Sequence, residues 1–246
     1  MKAMILAAGL GTRMKPLTDT KPKALIEIEG KTLLEIVITN LVKSGFNEII
    51  VNVHHFADQI TDFLKQKNNF DRRIEISDES DELLDTGGGL KKASWFFDDG
   101  KPFLVHNVDV LTDMDYSEMM KYHKENNALV TLAVRKRETS RYLLFDNSMQ
   151  LCGWTNVKTG EVKISVAGKN TGRYAFSGIH IIDPKFFKLI GNKDRFYIIN
   201  EYLKLAKNQR ITGFDHSDSL WFDVGNPESL KMISESLEKG WILTGD

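Results

Sequence analysis

Short apolar runs alternate with stretches of helical period through the first half of the chain. Residues 2–7 are an unbroken apolar run after Lys2, stopping at Gly9, which reads as a buried strand. Across 32–44, Leu34, Val37, Ile38 and Leu41 recur at i, i+3, i+4 and i+7, one face of a helix that Gly45 ends. Ile49-Ile50-Val51-Asn52-Val53 is β-branched and predicts a second strand. Phe56, Ile60, Phe63 and Leu64 mark another helical face, and strands are expected at 73–77, 102–107 and 128–134 with helical stretches between them. The second half changes character. Residues 142–145, 151–155 and 162–165 are short and separated by turns, the mark of antiparallel hairpins. A longer strand at 174–182 precedes helical segments at 184–190 and 197–207, then a strand at 220–224. Asn226-Pro227-Glu228 supplies a cap, a proline at the first helical position and a first-turn acid for a last helix through Leu230, Ile233 and Leu237.

Strand–helix–strand alternation implies parallel strands joined by right-handed crossovers. The expectation is an α/β protein: one domain over 1–246, a doubly wound, mixed, mostly parallel sheet, with an antiparallel insertion at 135–175. In such sheets ligands sit at the carboxyl ends of the strands, so the loops there carry the chemistry.

Composition narrows the classes. The chain's 246 residues include 33 basic and 34 acidic side chains, net charge −1, which argues against a generally basic surface for polymeric nucleic acid. A single cysteine, Cys152, forms no internal disulfide, and no CxxC pair is present to hold zinc, a usage that fits a reducing compartment. No apolar run approaches the roughly 18 residues of a membrane-spanning helix, and Arg13 and Lys15 follow the first apolar run too soon for a signal peptide. A soluble cytoplasmic protein with no membrane partner, monomeric or a small homo-oligomer, is expected. No linker, repeat or low-complexity tract interrupts it.

Gly9-Leu10-Gly11-Thr12-Arg13 follows the first strand, where an anion-binding turn belongs. It is not a dinucleotide fingerprint, because Met14 stands at the third glycine position, and no GxxxxGK[ST] loop occurs. The first 25 residues hold five basic residues (Lys2, Arg13, Lys15, Lys21, Lys23) against Asp19 alone, net +4, and Pro16 and Pro22 exclude a regular helix. Exposed amides with Arg and Lys make a polyphosphate cradle; a solvated turn with surface lysines is the alternative reading of a generic GxG loop. The longer run, Leu6-Ala7-Ala8-Gly9-Leu10-Gly11-Thr12-Arg13-Met14-Lys15-Pro16-Leu17-Thr18-Asp19-Thr20-Lys21-Pro22-Lys23, resembles the signature LAAGxGTRxxPLTxxxPK of sugar-1-phosphate nucleotidyltransferases at every fixed position. That resemblance implies a Rossmann-like nucleotidyltransferase fold and transfer of a nucleoside monophosphate from an NTP to a sugar phosphate, with release of pyrophosphate. It also implies that Gly11, Thr12 and Arg13 hold the triphosphate, that Lys23 contacts phosphate near the reacting centre, and that the backbone of Leu6, Ala8 and Gly9 lines the nucleoside.

Polyphosphate transfer requires a hard cation, usually Mg²⁺, held by carboxylates. Asp109 lies just beyond Phe103-Leu104-Val105, and Asp223 ends Trp221-Phe222-Asp223, so both project where the sheet rule puts the ligand. The resemblance assigns metal to aspartates at these two places, with Asp109 also catalytic. The family commonly has glycine before the first of them, where this chain has Val108. Either aspartate could instead cap a helix; Asp113 or Asp115 is expected to do so for the helix at 116–124.

Residues 74–85 carry six acids and no base, and end in Asp85-Thr86-Gly87-Gly88-Gly89 at a helix start. By resemblance this segment contacts base and ribose, with Gly88 and either Asp85 or Glu79 as candidates. Phe176-Ser177-Gly178-Ile179-His180 is similar to the strand beside the sugar, which makes Ser177 and Gly178 substrate candidates. Glu201 lies on a helix near the sugar region, where a surface acid is the alternative. The Glu-Lys-Pro motif that holds sugar phosphate in many relatives is not recognisable; Lys158, Lys163, Lys169 and Arg173 are the cations available in 135–175. His54 and His55 read as polar surface, Cys152 as a packing residue and Phe96-Phe97 as core.

The expected reaction is Mg²⁺-dependent and in-line: UTP with an N-acetylated sugar 1-phosphate first, GTP with mannose- or heptose-1-phosphate next. Two alternatives are a cytidylyltransferase acting on phosphocholine or another non-sugar phosphate, and a non-catalytic nucleotide-binding regulatory homologue, against which Arg13, Lys23, Asp109 and Asp223 all stand. A dehydrogenase is opposed by Met14. The length is expected to suit a bare catalytic domain, without the C-terminal β-helix of acyl- or acetyltransferase-fused relatives.

Overall fold

The computed structural model of the chain describes residues 1–167 and 170–238, with side chains as far as Ile233. Its residues gather into two compact units. The first comprises 1–83, 106–114 and 220 onward; the second comprises 84–105 and 115–219.

In the first unit the strands Lys2–Leu6, Glu48–Val53 and Arg73–Asp78 lie parallel, with Leu6 opposite Asn52 and Asn52 opposite Ser77. The crossovers are helices, Leu33–Lys43 and Ala57–Gln66. The first helix starts where the Thr32 side chain accepts from Glu35 N, and it buries Leu34, Val37, Ile38 and Leu41, the face expected from their spacing. Because both faces of a parallel sheet are covered, Ala3, Met4, Ile5, Ile49, Ile50 and Val51 have no solvent exposure. All three strands send their carboxyl ends to one edge, and the turn of Gly9–Arg13 leaves from that edge.

In the second unit Val130–Arg135 lies between Gly172–Ile182, antiparallel to it, and Ile211–Asp215, parallel to it. The expected hairpins are present as Arg141–Phe145, Leu151–Asn156 and Val162–Ile164, paired antiparallel in that order. Rings of Phe97, Phe103 and Phe187 stack in the interior, Phe97 on Phe103 at 3.6 Å between centroids. The α/β class with a mixed, mostly parallel central sheet and small antiparallel additions is the class expected.

Three elements escaped the pattern. Ile211–Asp215 holds one glycine and few apolar residues; a Cβ on Gly213 would lie 2.8 Å from Met149 Cε and 3.0 Å from the Phe145 ring, so glycine fits where a side chain would crowd these neighbours. Glu27–Ile28 with Lys31–Thr32 is a two-residue hairpin too short for periodicity. Val110–Thr112 becomes a strand only because Trp221–Asp223 pairs with it. The last helix, Pro227–Glu238, begins as expected: Asn226 Oδ1 accepts from Ser229 N at 2.8 Å. Lys169 and the side chain of Leu237 lie outside the described residues.

Candidate active site

The glycine turn is built by one left-handed residue. Gly11 has φ +64°, and a Cβ there would meet Thr18 Cγ2 at 2.9 Å. Thr18 Oγ1 donates to Gly11 O at 2.9 Å, which ties the turn to the segment that follows it. Gly9, Thr12 and Arg13 are exposed, Ala8 is buried and Leu6 half-buried. Among the described residues no backbone acceptor is recorded for the amides of Gly9, Leu10 and Gly11. Met14, which fills the third position of the spurious dinucleotide pattern, is wholly buried. The basic side chains separate in role: Lys15 pairs with Asp19 at 3.3 Å on the surface, whereas Lys23 is buried.

Lys23 Nζ donates to Asp109 Oδ2. The Lys23 side chain is 10% exposed and that of Asp109 22%, so the cation has left bulk water and the carboxylate has not. Asp223 comes to Asp109 through the ribbon of Val110–Thr112 and Trp221–Asp223: Asp223 stands opposite Val110, and Val224 N donates to Asp109 O at 2.8 Å. A Cβ on Gly225 would lie 2.7 Å from Asp223 Oδ1 and 3.3 Å from an Arg13 guanidinium nitrogen, so glycine is what lets Arg13 and Asp223 approach. One cluster therefore holds Arg13, Lys23, Asp109 and Asp223. Two carboxylates brought together supply the oxygen ligands that a hard divalent cation takes. The Val108 departure is harmless, because its φ is not in the left-handed region and its N–H donates to Leu6 O at 3.1 Å. Of the nearby acids, Asp115 caps the helix Tyr116–Glu125, while Asp113 accepts from Leu220 N at 2.8 Å.

Glu79, a candidate for the base or ribose, meets two residues of little sequence signal, Asn52 and His54, at the same strand ends. Asn52 Oδ1 accepts from Ala7 N at 2.8 Å, Asn52 Nδ2 donates to Glu79 Oε1 at 2.7 Å, and His54 Nδ1 donates to Glu79 O at 2.6 Å. Asn52 and Glu79 are 2% and 1% exposed. The Glu79 carboxylate thus points at Asn52, and His54 has a specific partner rather than open water.

In the second unit Asp85 opens the helix Asp85–Lys92 at φ +59° and pairs with Arg195 Nε at 2.9 Å. The glycines behind it have a packing reason. A Cβ on Gly87 would lie 2.2 Å from the Phe196 ring, and one on Gly88 would lie 2.0 Å from Asp194 O. Gly88→Ala must displace backbone, so it is expected to cost about 1–3 kcal/mol. For a chain of this size that lowers the thermal midpoint by roughly 2–4 °C per kcal/mol, readable by circular dichroism. An unchanged midpoint would mean the 194–196 segment yields freely.

A cavity of about 580 Å³ in the second unit is lined by Arg141, Tyr142, Trp154, Lys163, Phe176 and Tyr197 among others. Of the cations expected to serve the sugar side, Lys163 lines it, with Nζ 5.2 Å from the Trp154 ring centre; Lys158 and Arg173 do not. Arg141 was not singled out in the sequence, since one arginine at the start of a short strand carries no pattern. Ser177 is buried and its Oγ lies 2.6 Å from His216 Nε2. Burial lowers the His216 pKa to about 4, helped by nearby Arg135. Gly178, at φ +79°, sits in the bulge between Phe176 and His180. Glu201 pairs with Lys204 one turn on, at 3.3 Å. Cys152 is buried, and Phe96 and Phe97 are core.

The profile of the nucleotidyl transferase family matches residues 2–240. The chain belongs to that family. It is accordingly a nucleotidyltransferase, of a family that generally uses divalent metal. It is 32% identical to the N-acetylmuramate alpha-1-phosphate uridylyltransferase of Caulobacter vibrioides, over 95% of each chain. It is 34% identical to the protein of the same name from Neisseria meningitidis serogroup B, over 98% of this chain and 100% of that one. The UTP–glucose-1-phosphate uridylyltransferase of Synechocystis is 38% identical over 92% of this chain and 60% of its own. Among solved structures, HddC from Yersinia pseudotuberculosis superposes with a TM-score of 0.78 at 24% identity, covering 96% of this nucleotidyltransferase and 99% of HddC, a likeness of fold. No helix among the described residues is long and apolar enough to cross a membrane.

Proposed function

We propose that this nucleotidyltransferase joins a nucleoside monophosphate from an NTP to a sugar 1-phosphate, giving a nucleotide sugar and pyrophosphate, with Mg²⁺ as the cation. The observation that carries the reading is the single cluster of Arg13, Lys23, Asp109 and Asp223 beside the glycine turn. A phosphate oxygen of the sugar 1-phosphate attacks the α-phosphorus of the NTP; a new P–O bond forms, the bond from the α-phosphorus to the bridging oxygen breaks, and pyrophosphate leaves with its electron pair. An ionised phosphate needs no general base, so the protein's work is placement and charge neutralisation. Asp109 and Asp223 would hold Mg²⁺, whose charge offsets that of the phosphates. Arg13 and the amides of Gly11 and Thr12 take the β- and γ-phosphates, and Lys23 faces the developing charge at the reacting phosphate.

On the nucleoside side, Leu6, Ala8 and Gly9 offer backbone, with Gly88 and Asp85 assigned to base and ribose. Ser177, Gly178 and Glu201 are assigned to the sugar. Relatives at 32% and 34% identity named N-acetylmuramate alpha-1-phosphate uridylyltransferases support UTP with an N-acetylated sugar 1-phosphate as first choice. A mannose-1-phosphate guanyltransferase at 31% supports GTP as second. A matrix of four NTPs against N-acetylmuramate, N-acetylglucosamine, glucose, mannose and heptose 1-phosphates, read by pyrophosphate release, tests both. The UTP row with an N-acetylated sugar is expected to give the highest kcat/KM. Silence across the whole matrix would overturn the catalytic reading.

A further inference from the structure

We propose that Asn52 and Glu79 are positioning residues for the nucleotide: a buried pair that holds the peptide at Ala7 and so sets where the glycine turn leaves the sheet. The inference rests on the reading that the NTP lies along this turn.

The parallel ladder from Lys2–Leu6 to Glu48–Val53 ends with Leu6 opposite Asn52. The next amide, at Ala7, belongs to a 6% exposed residue, where an unbonded N–H would be costly. A side chain takes over from the ladder: Asn52 Oδ1 accepts from Ala7 N at 2.8 Å. Because that oxygen faces a donor, the Asn52 amide nitrogen must face an acceptor, and Glu79 Oε1 is there at 2.7 Å. A flipped amide would oppose donor to donor and acceptor to acceptor, so the pair admits one orientation. Glu79 is itself held on both sides of its peptide. Its N–H donates to Val53 O at 2.8 Å and its carbonyl accepts from His54 Nδ1 at 2.6 Å. The three parallel strands are thereby tied together at their carboxyl ends, two residues before Gly9. Rotation of the Ala7 peptide would swing the amides of Gly9, Leu10 and Gly11, the groups offered to the ligand.

The test exploits the polarity of the pair. Asn52→Asp keeps the acceptor for Ala7 N–H but sets two carboxylates against each other. It is expected to raise KM for the NTP about tenfold at neutral pH, leaving kcat and KM for the sugar phosphate within about twofold. Combined with Glu79→Gln, the new amide at 79 donates to the new carboxylate at 52, the net charge of wild type returns, and KM for the NTP is expected to fall to within about threefold of wild type. Glu79→Gln alone retains an acceptor for Asn52 and serves as the conservative control. Calorimetric Kd values for UTP, GTP, CTP and ATP on the same variants read the clamp without turnover. A wild type that binds an NTP but makes no pyrophosphate defeats the functional reading and leaves the Kd comparison to decide the clamp. A lower kcat or less folded protein in Asn52→Asp, with NTP Kd and KM unchanged, would make the pair merely structural and overturn the proposal. So would failure of the double variant to recover.

Discussion

Asp109→Asn is expected to lower pyrophosphate release by about 10³-fold while the protein still folds, and Asp223→Asn to do nearly the same. The amide preserves the size of the carboxylate, and the Asp109 backbone carbonyl keeps the bond from Val224 N that joins the two strands. What is lost is charge. With one carboxylate gone, the single remaining carboxylate and the phosphate oxygens would hold Mg²⁺ more weakly, and the triphosphate would meet less neutralisation as charge moves toward the leaving pyrophosphate. Raising Mg²⁺ is expected to recover part of the activity, a signature that a folding defect would not show. Far-ultraviolet circular dichroism should match wild type, while Asp109→Asn is expected to melt somewhat lower, because the buried Lys23 ammonium loses its carboxylate partner. Turnover near the wild-type rate in either variant would take these carboxylates out of the chemistry.

Lys23→Met is expected to lower kcat by roughly 10²- to 10³-fold, with no recovery at higher Mg²⁺. Lys23 is the most buried cation of the first 25 residues after Lys2, and it is the one joined to a proposed metal ligand. Methionine keeps the apolar stem that fills this space, so packing changes little. Removing the ammonium leaves Asp109 without its partner, which favours cation binding there; a simple loss of metal therefore cannot account for the fall. Arg13 is more exposed and holds its place beside Asp223 by approach to Gly225, so its replacement serves as a comparison within the same cluster. A Lys23→Met enzyme with unchanged kcat would confine Lys23 to a structural ion pair.

Much of the candidate site is legible in the sequence itself. The run from Leu6 to Lys23 carries its meaning locally, because a glycine turn after a strand, prolines that break helix and a run of cations are all near-neighbour properties. Asp109 and Asp223 could be picked out because one lies just beyond an apolar strand and the other ends one. The role of Asn52 could not, since a lone asparagine inside Ile49-Ile50-Val51-Asn52-Val53 looks like an irregularity in a strand. Only its distant partners, Ala7 and Glu79, give it a task. The resemblance offers Gly88 to the base, and the structure adds the chain's own 194–196 segment pressed against Gly87 and Gly88. Arg141 reaches the cavity through strand pairing that no local pattern encodes.

Periodicity and turn chemistry, which act over a few residues, determined by themselves the α/β class and most of the strands and helices, and marked the first turn as a candidate anion site. Pairings between remote segments were decided only by the tertiary structure. Val110–Thr112 is a strand because Trp221–Asp223 lies against it, and that pairing is what sets Asp223 beside Asp109. Ile211–Asp215 is a strand because Val130–Arg135 supplies its hydrogen bonds. A backbone bond between residues a hundred positions apart depends on how whole layers pack, and layer packing is a sum over the entire core rather than a property of any window of sequence.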